Sequence, residues 1–158
     1  MSLKVVPAIL HDLEKIQELN SKLFRNEIDK YDDTLDPLWT TSAGGEEYFR
    51  NRIAGTGGCV FVAKNDEIIV GYIAGGLADA PAHRKLRGHL AELENMFVED
   101  EFRSRGVGSM LIEAFLDWCK KNKCERVKVV ASASNMDGIK FYERNDFKPF
   151  ELILEKDI

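Results

Sequence analysis

Arg103-Ser104-Arg105-Gly106-Val107-Gly108 stands between an apolar run, Leu90 to Val98, and an amphipathic stripe from Ser109 to Lys121. A strand that ends in a glycine turn and opens a helix aims several backbone N–H groups at one point, where the helix dipole also favours negative charge. Gly106 and Gly108 lack the Cβ atoms that would hold a diphosphate off the backbone, and Arg103 and Arg105 can screen its charge. The stretch therefore reads as a pyrophosphate cradle, with Ser104, Val107 and Ser109 completing the turn. A lone Gly-x-Gly is also the ordinary tight turn before a helix, so the surroundings must decide.

Working outward, the chain alternates strand-like and helix-like patterns. Leu13, Ile16, Leu19 and Leu23 keep helical spacing behind Asp12, a candidate N-cap, and Glu46 to Ile53 suits a second short helix. Cys59 to Ala63 and Ile68 to Ala74 are rich in β-branched and apolar residues, with Asn65-Asp66 placed for a hairpin turn. Past the cradle, Val107, Leu111, Ala114, Phe115 and Trp118 stripe one side of a helix whose C-terminal end carries Lys120, Lys121 and Lys123. Val127 to Ala131 reads as a strand, Asp137 to Arg144 as a short helix and Phe147 to Leu154 as a last strand. No repeat or linker divides the chain, which predicts one domain over 1–158 of α/β (α+β) class, with helices on both faces of a sheet.

Composition narrows the function. At 158 residues with 44% hydrophobic content the chain can bury a core without metal or disulfide. Cys59, Cys119 and Cys124 are odd in number and lack Cys-x-x-Cys spacing, which argues against a disulfide framework or a thiolate metal site. His11, His83 and His89 show no paired ligand spacing, so no metal is expected. The net charge of -5 argues against nucleic-acid binding and suits a cationic substrate. No apolar run nears the roughly 18 residues of a membrane span, and no signal-peptide pattern opens the chain, so a cytoplasmic protein without membrane association is expected. A Rossmann site would need a third glycine where Leu111 stands, and a Walker loop would need Gly-Lys-Ser or Gly-Lys-Thr where Gly108-Ser109-Met110 stands.

Arg103-x-x-Gly106-x-Gly108, preceded by Glu92-Leu93-Glu94-Asn95-Met96-Phe97-Val98 and followed by Asn135 and Phe141-Tyr142, resembles the acetyl-CoA-binding core of the GNAT superfamily of N-acetyltransferases. Val5-Val6-Pro7-Ala8 with the helix behind it resembles that family's first strand and helix, and the Phe147 segment its closing strand. The resemblance implies a mixed, mostly antiparallel sheet of about seven strands. In it the parallel pair, Leu90–Val98 and Val127–Ala131, splays apart and admits the pantetheine arm like an extra strand. Acetyl-CoA is then the co-substrate. Met96, Phe97 and Val98 would line the arm, Met96 and Val98 pairing with its amides, and Asn135 would contact it by side chain. Asp146 stands where the family commonly has Gly, and Asp tolerates left-handed backbone better than most residues. Homodimers are common in the family.

Acetyl transfer to an amine needs a proton acceptor, because an alkylammonium with a pKa near 10 leaves only about one molecule in a thousand neutral at pH 7. Strand alternation puts Glu92 and Glu94 on one face with Met96 and Val98, and Leu93, Asn95 and Phe97 on the other. Two carboxylates in one cleft raise at least one pKa, which makes either a candidate base, unless both are salt-bridged or a β-bulge breaks the alternation. The setting of Glu94 in Leu93-Glu94-Asn95 resembles the proton acceptor of polyamine-acetylating members, and that of Glu92 the acceptor of histone-acetylating members. Tyr142 occupies the position of the family tyrosine that serves the departing thiolate. Glu27, Asp29, Asp32, Asp33, Asp36, Glu46 and Glu47, with Tyr31, Trp39 and Tyr48 among or beside them, suit an acceptor wall for a cation, with Asp32, Asp33 and Trp39 as candidate substrate contacts. Gly44-Gly45 and Pro37 make that segment loop-like, as a lid would be. A small cationic amine or amino acid is the first acceptor to consider, a protein N-terminus or lysine side chain the second. A non-catalytic acyl-CoA sensor and an interaction module with an incidental turn are the rivals of other class.

Overall fold

The computed structural model of the protein describes residues 2–55 and 57–158. β1 (Leu3–Pro7), β2 (Gly58–Asn65), β3 (Ile68–Ala78), β4 (His89–Val98) and β5 (Cys124–Val129) form one sheet in sequential order. The first four are antiparallel neighbours, and β4 and β5 run parallel. α1 (Leu13–Lys30) and α2 (Ala43–Ala54) cover one face, α3 (Val107–Lys121) covers the other, and α4 (Met136–Arg144) follows β5.

Each face is built by alternation along the strands. Cys59 and Ala63 of β2 pack under α3 with Leu111, Ile112 and Phe115, whereas Val60 and Val62 turn to Leu13, Ile16 and Leu19 of α1 and Phe49 of α2. Phe115 and Ile16 are both fully buried, so each helix stripe meets its own apolar layer.

The sheet has five strands, not the seven or so that the family resemblance implies. The expected strand over 147–154 does not form. Phe147 packs on the Tyr142 ring, Pro149 has no N–H to give a ladder, and the tail rests by side chains alone, Phe150 under the guanidinium groups of Arg84 and Arg126. The β5 strand also ends two residues before the expected Ala131, a shortening that matters below. Gly44-Gly45, expected in a loop, lies in the first turn of α2, capped by Ser42, whose Oγ accepts from Gly45 N–H at 3.2 Å. A Cβ on Gly45 would strike the Thr40 carbonyl at 2.6 Å, so the glycine answers a close approach of backbone to backbone. Asp146 adopts φ 65°, the left-handed turn its side chain tolerates.

The register of β3 and β4 slips at one place. Ala74 pairs with Asn95 and the next residue, Gly75, pairs with Leu93, so Glu94 is an extra residue on β4. This bulge overturns the expected alternation. Leu93 and Val98 are buried under α3 with Met96 packed against them, while Asn95 and Phe97 turn to the α1 face. Gly75 sits opposite the bulge, where a Cβ would come 2.6 Å from the Phe115 ring and closer still to the Glu92 carbonyl oxygen. Gly75→Val should therefore cost on the order of 1–3 kcal/mol by overpacking, read as a lower urea midpoint with little change in slope.

Candidate active site at the splayed strands

Parallel pairing between β4 and β5 runs from His89↔Cys124 to Leu93↔Val129 and stops there, one residue before the Glu94 bulge. Beyond that point one edge of β4 has no strand partner. Glu99 N–H donates to Val70 O, so residues of that parity, Phe97 among them, turn their backbone groups to β3. By alternation Met96 and Val98 turn theirs to the open edge. Phe97 meets the site only through its ring, which lies under the Arg103 guanidinium at 5.1 Å.

The cradle turn follows at the end of β4. Ser104 and Gly106 both take positive φ, 58° and 82°, and Gly106 is the N-cap of α3 with no side chain closing the first turn. Met110 N–H reaches Gly106 O, which leaves the N–H groups of Val107, Gly108 and Ser109 for an external acceptor. The Val107 side chain points the other way, into the α3 core. Gly108 has a second task. A Cβ there would lie 2.8 Å from the Phe141 ring, so the glycine lets α4, and Tyr142 with it, pack against the start of α3.

The two arginines divide. Arg103 Nε donates to Val98 O at 2.9 Å and its Nη1 pairs with Asp100 at 3.0 Å, so it ties the turn to the strand end. Arg105 has no ion pair among the described residues and is free to meet an anion.

Of the two strand acids, neither is a free carboxylate. Glu92 lies 3.3 Å from Lys128, its register partner on β5. Glu94 accepts from Arg52 Nε at 2.9 Å and from Arg52 Nη2 at 2.5 Å, and Tyr48 donates its hydroxyl to the same carboxylate. Burial, then the Glu94 charge, push the Tyr48 hydroxyl far above its ordinary value. Behind this pair runs a chain of buried polar groups. Thr40 Oγ1 donates to Asn20 Oδ1 at 2.6 Å, Asn20 Nδ2 to Tyr72 Oη at 2.8 Å, Tyr72 Oη to Asn95 Oδ1 at 2.7 Å, and Asn95 Nδ2 to Tyr48 Oη at 2.9 Å.

Tyr142 is nearly enclosed between Phe141 and Phe147, with ring centroids 5.3 and 5.7 Å away, and burial pushes its hydroxyl up to about 12. Asn135 caps α4, its Oδ1 accepting from Gly138 N–H at 2.9 Å, which leaves Nδ2 to a ligand. Trp39 stacks on Phe24 at 5.7 Å and meets Tyr48 at 5.5 Å, joining α1 to α2. Asp32 is spent on its own turn, bonding Thr34 N–H at 3.0 Å, and Asp33 is exposed beside it. No metal-ligating cluster occurs among the described residues, and no helix among them is long and apolar enough to cross a membrane.

The model of the acetyltransferase (GNAT) family matches residues 14–147. The chain belongs to the GNAT acetyltransferases. That membership favours an acetyl-transferring enzyme over the non-catalytic readings. An uncharacterized N-acetyltransferase of Methanocaldococcus jannaschii is 33% identical over 64 residues, which span 40% of this chain and 28% of that protein. Among solved structures, aminoglycoside N-acetyltransferase AAC(6')-Iy in complex with CoA superposes with a TM-score of 0.78 at 18% identity, covering 99% of this chain and 95% of its own. A variant of the BH1408 protein of Bacillus halodurans gives 0.79 at 16% identity over 98% and 99%. At such identities these likenesses establish the fold, and the CoA in the first fits a GNAT site.

Sequence reasoning passed over Arg52, and it placed Tyr48 and Glu27 only among the aromatics and acids of the acceptor wall. Arg52 and Tyr48 sit on α2 at spacing four with no motif to mark them. Glu27 did carry a signal, since it continues the buried stripe Ile16, Leu19, Asn20, Leu23 of α1 as a carboxylate. If Arg105 alone of the two arginines meets the diphosphate, Arg105→Ala should weaken acetyl-CoA binding roughly tenfold, the value of one charged hydrogen bond, and flatten its salt dependence. Arg103→Ala should instead lower the melting temperature. Calorimetry and thermal melting on both variants separate the two roles.

Proposed function

We propose that the enzyme moves the acetyl group of acetyl-CoA to the primary amine of a small cationic molecule by direct attack. The observation that carries this reading is the open edge of β4 at Met96 and Val98, set beside uncapped N–H groups at the start of α3. The first suits the amide-bearing pantetheine arm and the second the diphosphate. Backbone groups of Ser104, Arg105, Gly106, Val107, Gly108 and Ser109 would hold the diphosphate, and Asn135 Nδ2 would reach the arm.

No covalent intermediate on the chain would be needed. The acetyl carbon is already activated, and holding the amine against it can remove several kcal/mol of the barrier. Tyr142, which burial keeps protonated, is assigned to give its proton to the departing sulfur. The grip of Arg52 supports a positioning role for Glu94, in place of the proton-accepting role expected from its sequence setting. Glu92, paired with Lys128, stays a weaker candidate for the base.

Two observations favour a small acceptor over a protein one. Trp39 stacks on Phe24 of α1 and meets Tyr48 of α2, so aromatic rings fill the side that carries Glu94, and the fold neighbours include aminoglycoside acetyltransferases, one of them in complex with sisomicin. A protein N-terminus or lysine side chain is the second reading.

Titration calorimetry with acetyl-CoA, followed by thiol release with spermidine, lysine amide and an aminoglycoside, tests the proposal. Binding together with turnover of one of these is expected, and a chain that binds no acetyl-CoA would refute it. Tyr142→Phe should keep acetyl-CoA affinity and lower kcat by about 10²-fold, and an unchanged kcat would remove the tyrosine from the mechanism.

A further inference from the structure

We propose that Glu27, in the last turn of α1, takes the proton from the acceptor ammonium as it enters the gap between β4 and β5. This rests on the acetyl-transfer reading of the same cleft and names the group that reading leaves open.

Placement is the first argument. α1 lies across the sheet, with Lys15 and Lys22 near its start and middle meeting Glu99 beyond the end of β4, and Asn20 meeting Tyr72 of β3. Its last turn then brings Glu27 to Ser132, just past β5, whose Oγ donates to Glu27 Oε2 at 3.5 Å. Tyr142 stands on α4, and after burial the Glu27 charge raises its hydroxyl further above the ordinary value. Glu27, joined to Ser132, is thus held at the segment that follows the last paired residue of β5, Val129.

Availability is the second. Glu92 is held by Lys128 and Glu94 by Arg52, whereas no Lys or Arg pairs with Glu27 among the described residues. The groups that face it are Asp32 in the turn after α1, Ser132 beyond β5 and Tyr142 on α4. Burial raises its carboxyl above the ordinary range, the Ser132 hydrogen bond opposes this, and the Asp32 charge adds to it. The negative end of the α1 dipole acts in the same sense and also draws a cation to the site. A half-buried carboxylate with no counter-ion is poised to accept a proton and then lose it to water.

The step balances. One N–H proton of the ammonium passes to Glu27, and the freed amine lone pair forms the C–N bond to the acetyl carbon. The C–S bond then breaks, with its electron pair going to sulfur. Tyr142 protonates that sulfur and is reprotonated by the second N–H proton, now acidic on the acylated nitrogen, while Glu27 releases its own proton to solvent.

The test compares Glu27→Gln, Glu27→Asp and Asp32→Asn with wild type, using the amine that wild type turns over fastest at saturating acetyl-CoA. In wild type kcat/KM should rise through the Glu27 pKa and then level until the amine itself loses its charge. Glu27→Gln should fall about 10²-fold at pH 7 and climb with unit slope toward the amine pKa, because only pre-formed neutral amine reacts. Glu27→Asp should regain part of the plateau. Asp32→Asn, by removing a charge that raises the Glu27 pKa, should move the acid limb to lower pH. Acetyl-CoA affinity should hold in all three, and the melting temperature of Glu27→Gln at pH 7 should not drop, since the ionised group is the form that burial disfavours. A Glu27→Gln enzyme with wild-type rate and profile overturns the assignment and leaves acetyl transfer standing. Wild type that binds acetyl-CoA yet releases no thiol with any amine overturns both.

Discussion

The grip of Arg52 on Glu94 fixes the place where β4 ceases to be an ordinary strand. Glu94 is the residue too many in the β3–β4 register, and a bulge of this kind leaves one side chain without a slot in either layer. Here that side chain is a carboxylate, and α2 meets it with a fork of two N–H donors from Arg52 and the hydroxyl of Tyr48. The bulge, the end of β5 pairing and the anchoring of α2 are then one event. Without it, β4 could keep its alternation past Leu93, and Met96 would no longer turn into the core under α3 while its backbone groups face an open edge.

The same pair gives direction to the polar groups buried between α1 and the sheet. From Thr40 through Asn20, Tyr72, Asn95 and Tyr48, each hydroxyl proton points towards Glu94, where the negative charge lies. Hydrogen bonds aligned in this way polarise one another, and a group left unpaired at such depth would be costly. The aromatic column of Phe24, Trp39, Tyr48, Phe49 and Tyr72 runs alongside and fills the space around them. The segment proposed as the acceptor wall is thus a packed and hydrogen-bonded body. The acids on its outer turn, Asp32 and Asp33, add negative potential at its rim, while its inner part is set by Asn20, Thr40, Phe49 and Tyr72, which are fully buried.

How far the sequence revealed this depends on the kind of signal. The glycine turn before α3 was legible because Gly106 and Gly108 are required by local geometry, one for a positive φ and one for the approach of Phe141. The two apolar layers were legible because helix and strand periods survive in the residue pattern. The bulge was not, since alternation counts every residue equally and nothing local at Glu94 tells that Gly75 will skip it. Nor was the missing strand at 147–154, which has strand-like composition but needs a neighbour to pair with and carries Pro149 at its start. Arg52, and any role for Glu27 beyond one acid among several, escaped for a third reason. Their meaning comes from what lies across the cleft, and only the stripe position of Glu27 hinted that a charge was being carried inward.

In the proposed reading the cleft divides its work between two chemistries of the chain. On the α3 side recognition would be by backbone, through Met96, Val98 and the turn, and backbone groups are set in place by the fold before any ligand arrives. On the α1 side it would be by side chains whose charge can change. Neither side offers a thiolate. Cys59 and Cys119 are buried under α3, and burial pushes both thiols up to about 12, so they stay protonated and inert. With those thiols protonated, the proposed direct attack of the amine on the acetyl group has no buried cysteine to compete with it. That leaves the side-chain face to solve one problem, the proton on the incoming ammonium. A carboxylate already neutralised by an arginine is less suited to that task than one that burial has left without a counter-ion.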